Sequence, residues 1–460
     1  MFIFDYKYSQ YKKIHFIGIG GVSMSGIALL LSKKGYEVTG SDRSETKYLN
    51  HLYENGIKIY IGQKASNIGD QDLFVYTDAI LPDNEELIAA KNTGKPVVTR
   101  GEFLGALMRN YNQAIAISGS HGKSTTTSML SKVLVDSKAD ATILLGGLLD
   151  ELDGNVKVGQ GEILLTEACE FKGNILYYYP STVVILNIDE DHLDYYKDLN
   201  HIVETFIGYM KNLDENSKAI INIDDENTHR LLEHVKGEVI TFGQSEDAEY
   251  RIIDLDYSPD GFPRFNLVKA DKTYPIALDI LGDYNIYNAA ATTIAALENG
   301  INFDLIKKSL SGYHNLHRRM ETVGYYNDAT VMTDYGHHPV EIKNTLKSLR
   351  KMPHNKIVSV FQPHTYSRTK ALLDDFSEAF FDADEVIVTK IFPAREKFDP
   401  TIKSEDLVKK LIKNGVNAIY LETFEEAMDY LRKRLKKGNI CMTTGCGNPD
   451  ELAEMIVGEK

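Results

Sequence analysis

The sequence predicts an α/β protein of three domains, each built on a largely parallel sheet. Three observations carry this expectation. β-rich runs alternate with helix-patterned segments almost throughout, the pattern restarts near residues 110 and 320, and the 460-residue length suits three cores at roughly 150 residues each. The expected domains are therefore 1–109, 110–319 and 320–460. In the first, KIHFIGIGG is a short apolar run closing on glycines, and SMSGIALLLSKKG follows with apolar residues at helical spacing. EVTGSD, LFVYTDAI and KPVVTR repeat the pattern of a buried strand and a polar turn. The second restart is AIAISGSHGKS followed by the helical TTTSMLSKVLVDS, with EILLTEACE, TVVILNIDEDH and KAIINIDDEN as later strands. Between residues 238 and 281 the texture changes to hairpins, marked by the breaker Ser258-Pro259-Asp260-Gly261. The third set of strands is ATVMTDYGHH, KIVSVFQPH, EVIVTKIF, NAIYLE and NICMTTG. Ligands bind at the carboxyl ends of such strands, so the residues just beyond them carry most of the functional weight.

Composition narrows the class. With 51 basic and 66 acidic residues, the net charge of −15 opposes nonspecific nucleic-acid binding, which depends on neutralising phosphates. No apolar run is long enough to span a bilayer, and MFIFDYKYSQYKK lacks the pattern of a secretory signal. The three cysteines make no disulfide framework and show no paired metal spacing. The expectation is a soluble, cytoplasmic protein without a nucleic-acid or membrane partner.

The sharpest motif is Gly119-Ser120-His121-Gly122-Lys123-Ser124-Thr125, set between a strand and a helix. Glycines let backbone N–H groups turn around phosphate oxygens, and the helix N-terminus adds a favourable dipole. Lys123 would reach the β- and γ-phosphates, and the Ser124 hydroxyl would ligate Mg²⁺. Ile117 stands where the usual loop has its first glycine, so this is a shortened form. Glu167 closes EILLTE and His192 lies beyond TVVILNI, both candidates for the metal site of a Mg-triphosphate. Histidine also suits Zn²⁺ or Mn²⁺. The competing readings are Glu167 as a helix N-terminal acid and Asp189, Glu190 and Asp191 as a solvated charge run. Cys169, with no base oriented toward it, reads as a small buried residue, and Tyr177, Tyr178 and Tyr179 as packing. Gly18-Ile19-Gly20-Gly21 after one strand, with Asp42 after the next, imitates a dinucleotide fingerprint, but Ser23 replaces its third glycine. From these residues alone, nicotinamide binding stays open.

Nine motifs in order make the chain resemble the Mur ligase family, the ATP-dependent amino-acid ligases of peptidoglycan precursor synthesis. They are HFIGIGGVSMSGIA (15–28), SGSHGKSTTT (118–127), TEACE (166–170), NIDEDHLD (187–194), LGDYNIYNAAA (281–291), HNLHRRME (314–321), DYGHHPVEI (334–342), FQPHTYSRT (361–369) and IFPAREK (391–397). The resemblance implies a Rossmann-like N-terminal domain for a UDP substrate, a central P-loop ATPase-like domain with a mixed sheet, and a Rossmann-like C-terminal domain that closes on amino acid and nucleotide. It implies a ligase joining L-alanine to the carboxylate of UDP-N-acetylmuramate through an acyl phosphate, or a relative taking another amino acid or a peptide. ATP and Mg²⁺ follow from it, with a monomer or homodimer as the assembly.

Residue by residue, the resemblance gives Gly119–Thr125 to ATP, with Asn285, Asn288, Arg318, Arg319 and Asp334 also at the nucleotide. Ser124, Glu167 and His192 match metal positions, while Lys123, His337 and Arg368 match catalytic ones, with His338 and His364 beside them. Gly18, Gly20, Gly21, Ser41 and Asp42 match the UDP side. The chain departs from the family at Tyr284, where histidine is usual, at Thr333 and Asn448, where acids are usual, and at Thr77 and Asp78, where small serines are usual.

Overall fold

The computed structural model describes residues 2–458 apart from Ser9, Asp153, Leu193, Asp194 and Arg395, with the Asp150 side chain also left aside. Parts of two motifs, Leu193-Asp194 and Arg395, thus lie outside the described residues. Two compact units emerge. One holds Met1–Ile252, Leu267–Thr273 and Asn288–Ser309, and the other Ile253–Asn266, Tyr274–Tyr287 and Leu310–Lys460.

The first unit opens with strands β1 (Lys13–Ile17), β2 (Glu37–Asp42), β3 (Lys58–Ile61), β4 (Leu73–Tyr76) and β5 (Val97–Thr99). They form a fully parallel sheet in the order β3-β2-β1-β4-β5. The order reverses between β1 and β4, which opens a crevice at their carboxyl ends, where the Gly18–Gly21 turn lies. Seven more strands follow: β6 (Gln113–Ser118), β7 (Thr142–Leu149), β8 (Gly154–Lys157), β9 (Ile163–Ala168), β10 (Thr182–Ile185), β11 (Lys218–Asn222) and β12 (Glu238–Gly243). Their order is β12-β11-β10-β6-β9-β7-β8, so β6 runs in the middle and is buried along all but its first residue. A continuous apolar core joins the two sheets, with Ile14, Phe16 and Phe103 packed in one cluster with Ala116, Ile185 and Phe206.

Strands β13 (Tyr250–Tyr257), β14 (Pro263–Lys269) and β15 (Lys272–Ala277) follow in the segment expected to form hairpins. The second unit carries β16 (Glu321–Tyr326), β17 (Ala329–Asp334), β18 (Lys356–Phe361), β19 (Glu385–Val388), β20 (Ala418–Tyr420) and β21 (Asn439–Thr444), ordered β16-β17-β21-β18-β19-β20. Among the strand pairs described, β7 with β8 and β16 with β17 run antiparallel. At the second the reason is local. Asn327 and Asp328 both adopt left-handed backbone (φ 49° and 57°), the two-residue turn that folds a chain straight back on itself. The expected α/β class, with a mixed central sheet, is the class the chain forms. Among the described residues, no helix is long and apolar enough to cross a membrane.

Candidate active site

Strand β6 ends at Ser118, whose hydroxyl donates to the carbonyl of Ala168 (2.8 Å) and ties the ends of β6 and β9 together. The chain then turns through Gly119 and Gly122, with φ of 133° and 86°. A Cβ on Gly122 would stand 2.5 Å from Asn288 Oδ1, so both backbone angle and space demand glycine there. Asn187, just beyond β10, fastens the loop. Its carbonyl accepts from Ser120 N–H (3.1 Å), its Oδ1 accepts from His121 N–H (2.8 Å), and its Nδ2 donates to His121 O (3.1 Å). The helix Lys123–Asp136 starts with Gly122 as N-cap, a residue with no side chain to satisfy the first-turn amides. Those amides and the dipole behind them make an anion site.

Polar side chains from several elements gather at this loop. Ser124 Oγ donates to Glu167 Oε2 (3.0 Å), and Glu167 Oε1 accepts from Gly146 N–H (2.7 Å). Glu167 is therefore a strand-end acid facing the loop, and the alternative of a helix N-terminal acid does not apply. Lys123 Nζ donates to the carbonyls of Gly119 and Ser120 and to Glu170 (3.0 and 3.3 Å). Burial by itself lowers the Lys123 pKa. The Glu170 carboxylate overrides that, so the ammonium titrates well above its ordinary range. His192, at φ 55°, lies elsewhere around the loop, its Nε2 3.8 Å from Glu170 and 3.7 Å from Asp191. Burial pushes its pKa down, but the Cys169 sulfur and the Asp191 and Glu170 carboxylates push it up, and the net shift is upward. Nor do the acids of residues 189–191 form one solvated run. Asp189 bonds His121 Nε2 (3.1 Å), the Asp191 side chain is 10% exposed, and only Glu190 is fully at the surface.

The donor chemistry fits a divalent cation. Ser124 and Glu167 present adjacent hard oxygens of the kind Mg²⁺ takes, leaving its other positions to water and phosphate. The structure brings those two together and sets His192 with Glu170 and Asp191, whose ligand atoms all lie within 4.8 Å of one another.

At the crevice of the first sheet, Gly18 and Ile19 N–H donate to Ser41 O (2.8 and 2.9 Å), and Gly20 N–H donates to Asp42 Oδ2 (2.8 Å). Gly21 N-caps the helix Val22–Lys33. Gly18, Gly20, Gly21 and Asp42 thus meet in one turn, but the Ser41 hydroxyl points inward. It is wholly buried and donates to Glu86 Oε2 (2.5 Å), while Glu86 Oε1 holds His15 Nε2 and Asn67 Nδ2 (both 3.0 Å). Asp78, one of the departures, has local partners: Asn174 Nδ2 donates to its carboxylate and Lys172 Nζ to its carbonyl, both at 2.9 Å. Tyr178 is buried, its hydroxyl accepting from Arg100 (2.9 Å), and the Arg109 guanidinium covers the Tyr179 ring at 3.9 Å.

In the second unit, Asp334 at the end of β17 accepts from Met320 and Gly336 N–H, both at 2.8 Å. Burial raises its pKa against the opposing pull of Arg319 and these amides. Arg318, at φ 62°, donates to the carbonyls of Gly445 (2.9 Å) and Gly447 (3.0 Å), and its Nε lies 3.3 Å from Asp450. Both arginines lie over the Tyr335 ring, at 4.8 and 5.1 Å. His337 and His338 N–H donate to Glu341 Oε2 (2.9 and 3.1 Å) at the start of the helix Pro339–Leu349. The His337 ring stands edge-on to His364 (6.2 Å), and the Arg368 guanidinium reaches His364 Nδ1 (3.4 Å). These residues collect at the carboxyl ends of β17, β18 and β21. Asn285 Nδ2 donates to Leu281 O (2.6 Å) within this unit, whereas Asn288, in the first unit, accepts from Thr126 Oγ1 (3.1 Å).

Sequence reasoning did not assign Glu170, Asn187, Lys172 or Asn174. Glu170 and Asn187 stand inside quoted motifs, but both follow a strand end, where alternation no longer says which way a side chain points.

A middle strand that ends in a glycine turn, a lysine and a hydroxyl defines the class of nucleoside-triphosphate-binding α/β proteins. Residues 13–112 match the Mur ligase family catalytic domain, 117–296 the Mur ligase middle domain, and 318–447 the Mur ligase glutamate ligase domain, so the chain belongs to the Mur ligase family. It is 43% identical over 447 residues to the UDP-N-acetylmuramate–L-alanine ligase of Clostridium tetani, covering 97% of this chain and 98% of that one. To the ligase of the same name from Clostridium acetobutylicum it is 42% identical over 457 residues, 99% of this chain and 100% of that one. The crystal structure of UDP-N-acetylmuramate–alanine ligase from Thermotoga maritima aligns with a TM-score of 0.82 at 27% identity, covering 97% and 98%. A murein peptide ligase from Psychrobacter arcticus shares the fold, with a TM-score of 0.73 at 21% identity over 97% and 98%.

Proposed function

We propose that this chain is an ATP-dependent ligase that joins L-alanine to the carboxylate of UDP-N-acetylmuramate in peptidoglycan precursor synthesis. The carrying observation is the phosphate loop after β6 with Lys123 in it and the Ser124–Glu167 pair beside it, in a chain whose full-length relatives bear that activity as their name. Its substrates, ATP and a nucleotide sugar, are those of the cytoplasm, and the reading places the enzyme there.

Amide formation from a carboxylate and an amine is uphill in water and needs an activated acyl group. A carboxylate oxygen of the sugar acid attacks the γ-phosphorus of ATP, the β–γ bridging P–O bond breaks, and ADP leaves behind an acyl phosphate. The alanine nitrogen then attacks the acyl carbon and loses a proton, and the C–O bond to phosphate breaks. The loop amides and Lys123 gather negative charge on the phosphoryl group in transit. Ser124 and Glu167 are the groups that would hold Mg²⁺, with His192 as a further candidate, and the cation when bound supplies charge neutralisation on the phosphates. The Gly18–Gly21 turn, with Asp42 closing it, is the reading's place for the UDP diphosphate. By family likeness, Asn285, Asn288, Arg318, Arg319 and Asp334 serve the nucleotide, and His337 and Arg368 serve positioning and charge stabilisation.

Incubation with UDP-N-acetylmuramate, ATP and Mg²⁺ and each amino acid in turn tests this directly. Phosphate release that depends on L-alanine is expected. ATP binding with no amino-acid-dependent release, or NADH binding at the glycine turn, would overturn it. Lys123→Ala should lower turnover by at least about a hundredfold while binding of the UDP-sugar survives.

A further inference from the structure

One buried acid at the phosphate loop has no part in the chemistry above. The Glu170 side chain is 1% exposed, and both of its oxygens face Lys123 Nζ, at 3.0 and 3.3 Å. The other bonds from that ammonium go to the carbonyls of Gly119 and Ser120, which belong to the loop itself. An ammonium has three N–H donors, so these three acceptors engage all of them. Lys123 is thus turned back along its own loop, and a phosphate oxygen can claim it only by displacing a present partner. The two carbonyls are neutral parts of the loop, whereas Glu170 is the charged partner with which a phosphate oxygen competes directly for the ammonium. Its backbone is anchored, since the Tyr196 hydroxyl donates to the Glu170 carbonyl at 2.5 Å. His192 Nε2 stands 3.8 Å from the same carboxylate, a second group beside it.

We propose that Glu170 is a positioning residue for Lys123, holding the ammonium in the nucleotide-free loop, yielding it to the triphosphate and drawing it back as products leave. This rests on the ATP-dependent reading above. It deepens that reading by giving the loop a counter-ion that tempers nucleotide affinity. Releasing the lysine to ATP breaks an ion pair, so part of the binding energy is spent on the exchange. Drawing it back weakens the hold on ADP and speeds turnover. Removing the charge should therefore tighten nucleotide binding and slow the cycle together. A residue that merely supported the fold would weaken binding when changed.

Calorimetric titration with ATP and with ADP in EDTA isolates the lysine from any divalent cation. Glu170→Gln is expected to bind both about three- to tenfold more tightly than wild type, with Glu170→Asp, which keeps the charge, close to wild type. In the alanine-dependent assay with Mg²⁺, kcat and KM for ATP should fall together in Glu170→Gln. Simple repulsion between Glu170 and phosphate would tighten binding equally without the lysine, so the same change is made in Lys123→Ala. There the gain should shrink to less than half. Equal tightening in both backgrounds, unchanged affinity, or weaker binding alongside a lower melting temperature overturns the proposal. If Glu170→Gln does not fold, wild-type affinity in Glu170→Asp supports the assignment, and a loss of affinity there overturns it. Should wild type itself bind no ATP, the ligase reading falls and this falls with it. Should wild type bind ATP and catalyse alanine-dependent release while Glu170→Gln gains nothing, only the role of Glu170 falls.

Discussion

Lys123 and Ser124 follow directly from their spacing after a strand, because a glycine turn before a helix leaves only one place for the residues of its first turn. Glu167 was legible for a related reason: it closes a strand parallel to β6, with Ile117 as its neighbour in register. Ser41 shows the limit of such reasoning. Its place near the end of β2 matches the UDP side of the family, but its hydroxyl faces a buried Glu86 that lies 45 positions away in sequence. The cysteines give a test at this scale. Burial pushes the thiols of Cys441 and Cys446 up to about 12, against the opposing pull of Arg368 at Cys446. At pH 8 about one in ten thousand of each would be thiolate, the reactive form. Thiol titration of the native protein with a disulfide reagent at pH 8 should consume Cys169 first, Cys446 more slowly although it too is partly exposed, and buried Cys441 only after denaturant is added. Fast labelling of Cys446 would show that the Gly445–Gly447 turn is not packed as described.

Among the elements, buried parallel strands were the clearest, since an apolar run closed by a polar turn survives any arrangement around it. The edge strands were not. KIYI (β3) is short and half exposed, and β7 and β8 are separated by more than the two residues of a tight hairpin. At β16 and β17 the signal existed in Asn327-Asp328, but it needs the strands on both sides to be recognised first. The helix Tyr284–Glu298 is held at its far end by Glu298, which bonds Lys218 at the start of β11 and accepts from Tyr250 OH (3.2 Å). Burial alone would raise the Glu298 pKa, but Lys218 and Lys269 bring it below its ordinary value. A carboxylate lowered on folding stabilises the fold above its unfolded pKa, and that contribution is lost as pH falls through the folded value. Glu298→Gln should therefore cost about 1 kcal/mol in urea unfolding at pH 7, and the difference should shrink as pH falls below the ordinary carboxylate range. A cost that persists at pH 3 would assign the effect to packing instead.

On the scale of the whole molecule, the chain crosses between its two units repeatedly, at residues 252, 266, 273, 287 and 309. A single melting temperature therefore does not describe it, and ligands should act on the unit that holds their site. ATP at about a hundred times its dissociation constant adds about 2.7 kcal/mol to a state that binds it. One calorimetric transition should rise by several degrees with ATP, and Lys123→Ala should reduce the rise at the same ATP concentration. An unmoved transition in wild type would contradict a phosphate site after β6. The sequence by itself determined the α/β class, the three sets of strands, the glycine turn before the helix Lys123–Asp136 and the family, because each is written in local periodicity or in a few contiguous residues. Tertiary structure alone decided which side chains face the loop. Glu170 meets Lys123 from 47 positions away, Asp78 is met by Lys172 and Asn174, and Asn187 fastens the loop from the neighbouring strand. The order in which strands lie side by side sets those meetings, and that order is fixed by burying the sheets' apolar faces, which no single segment records.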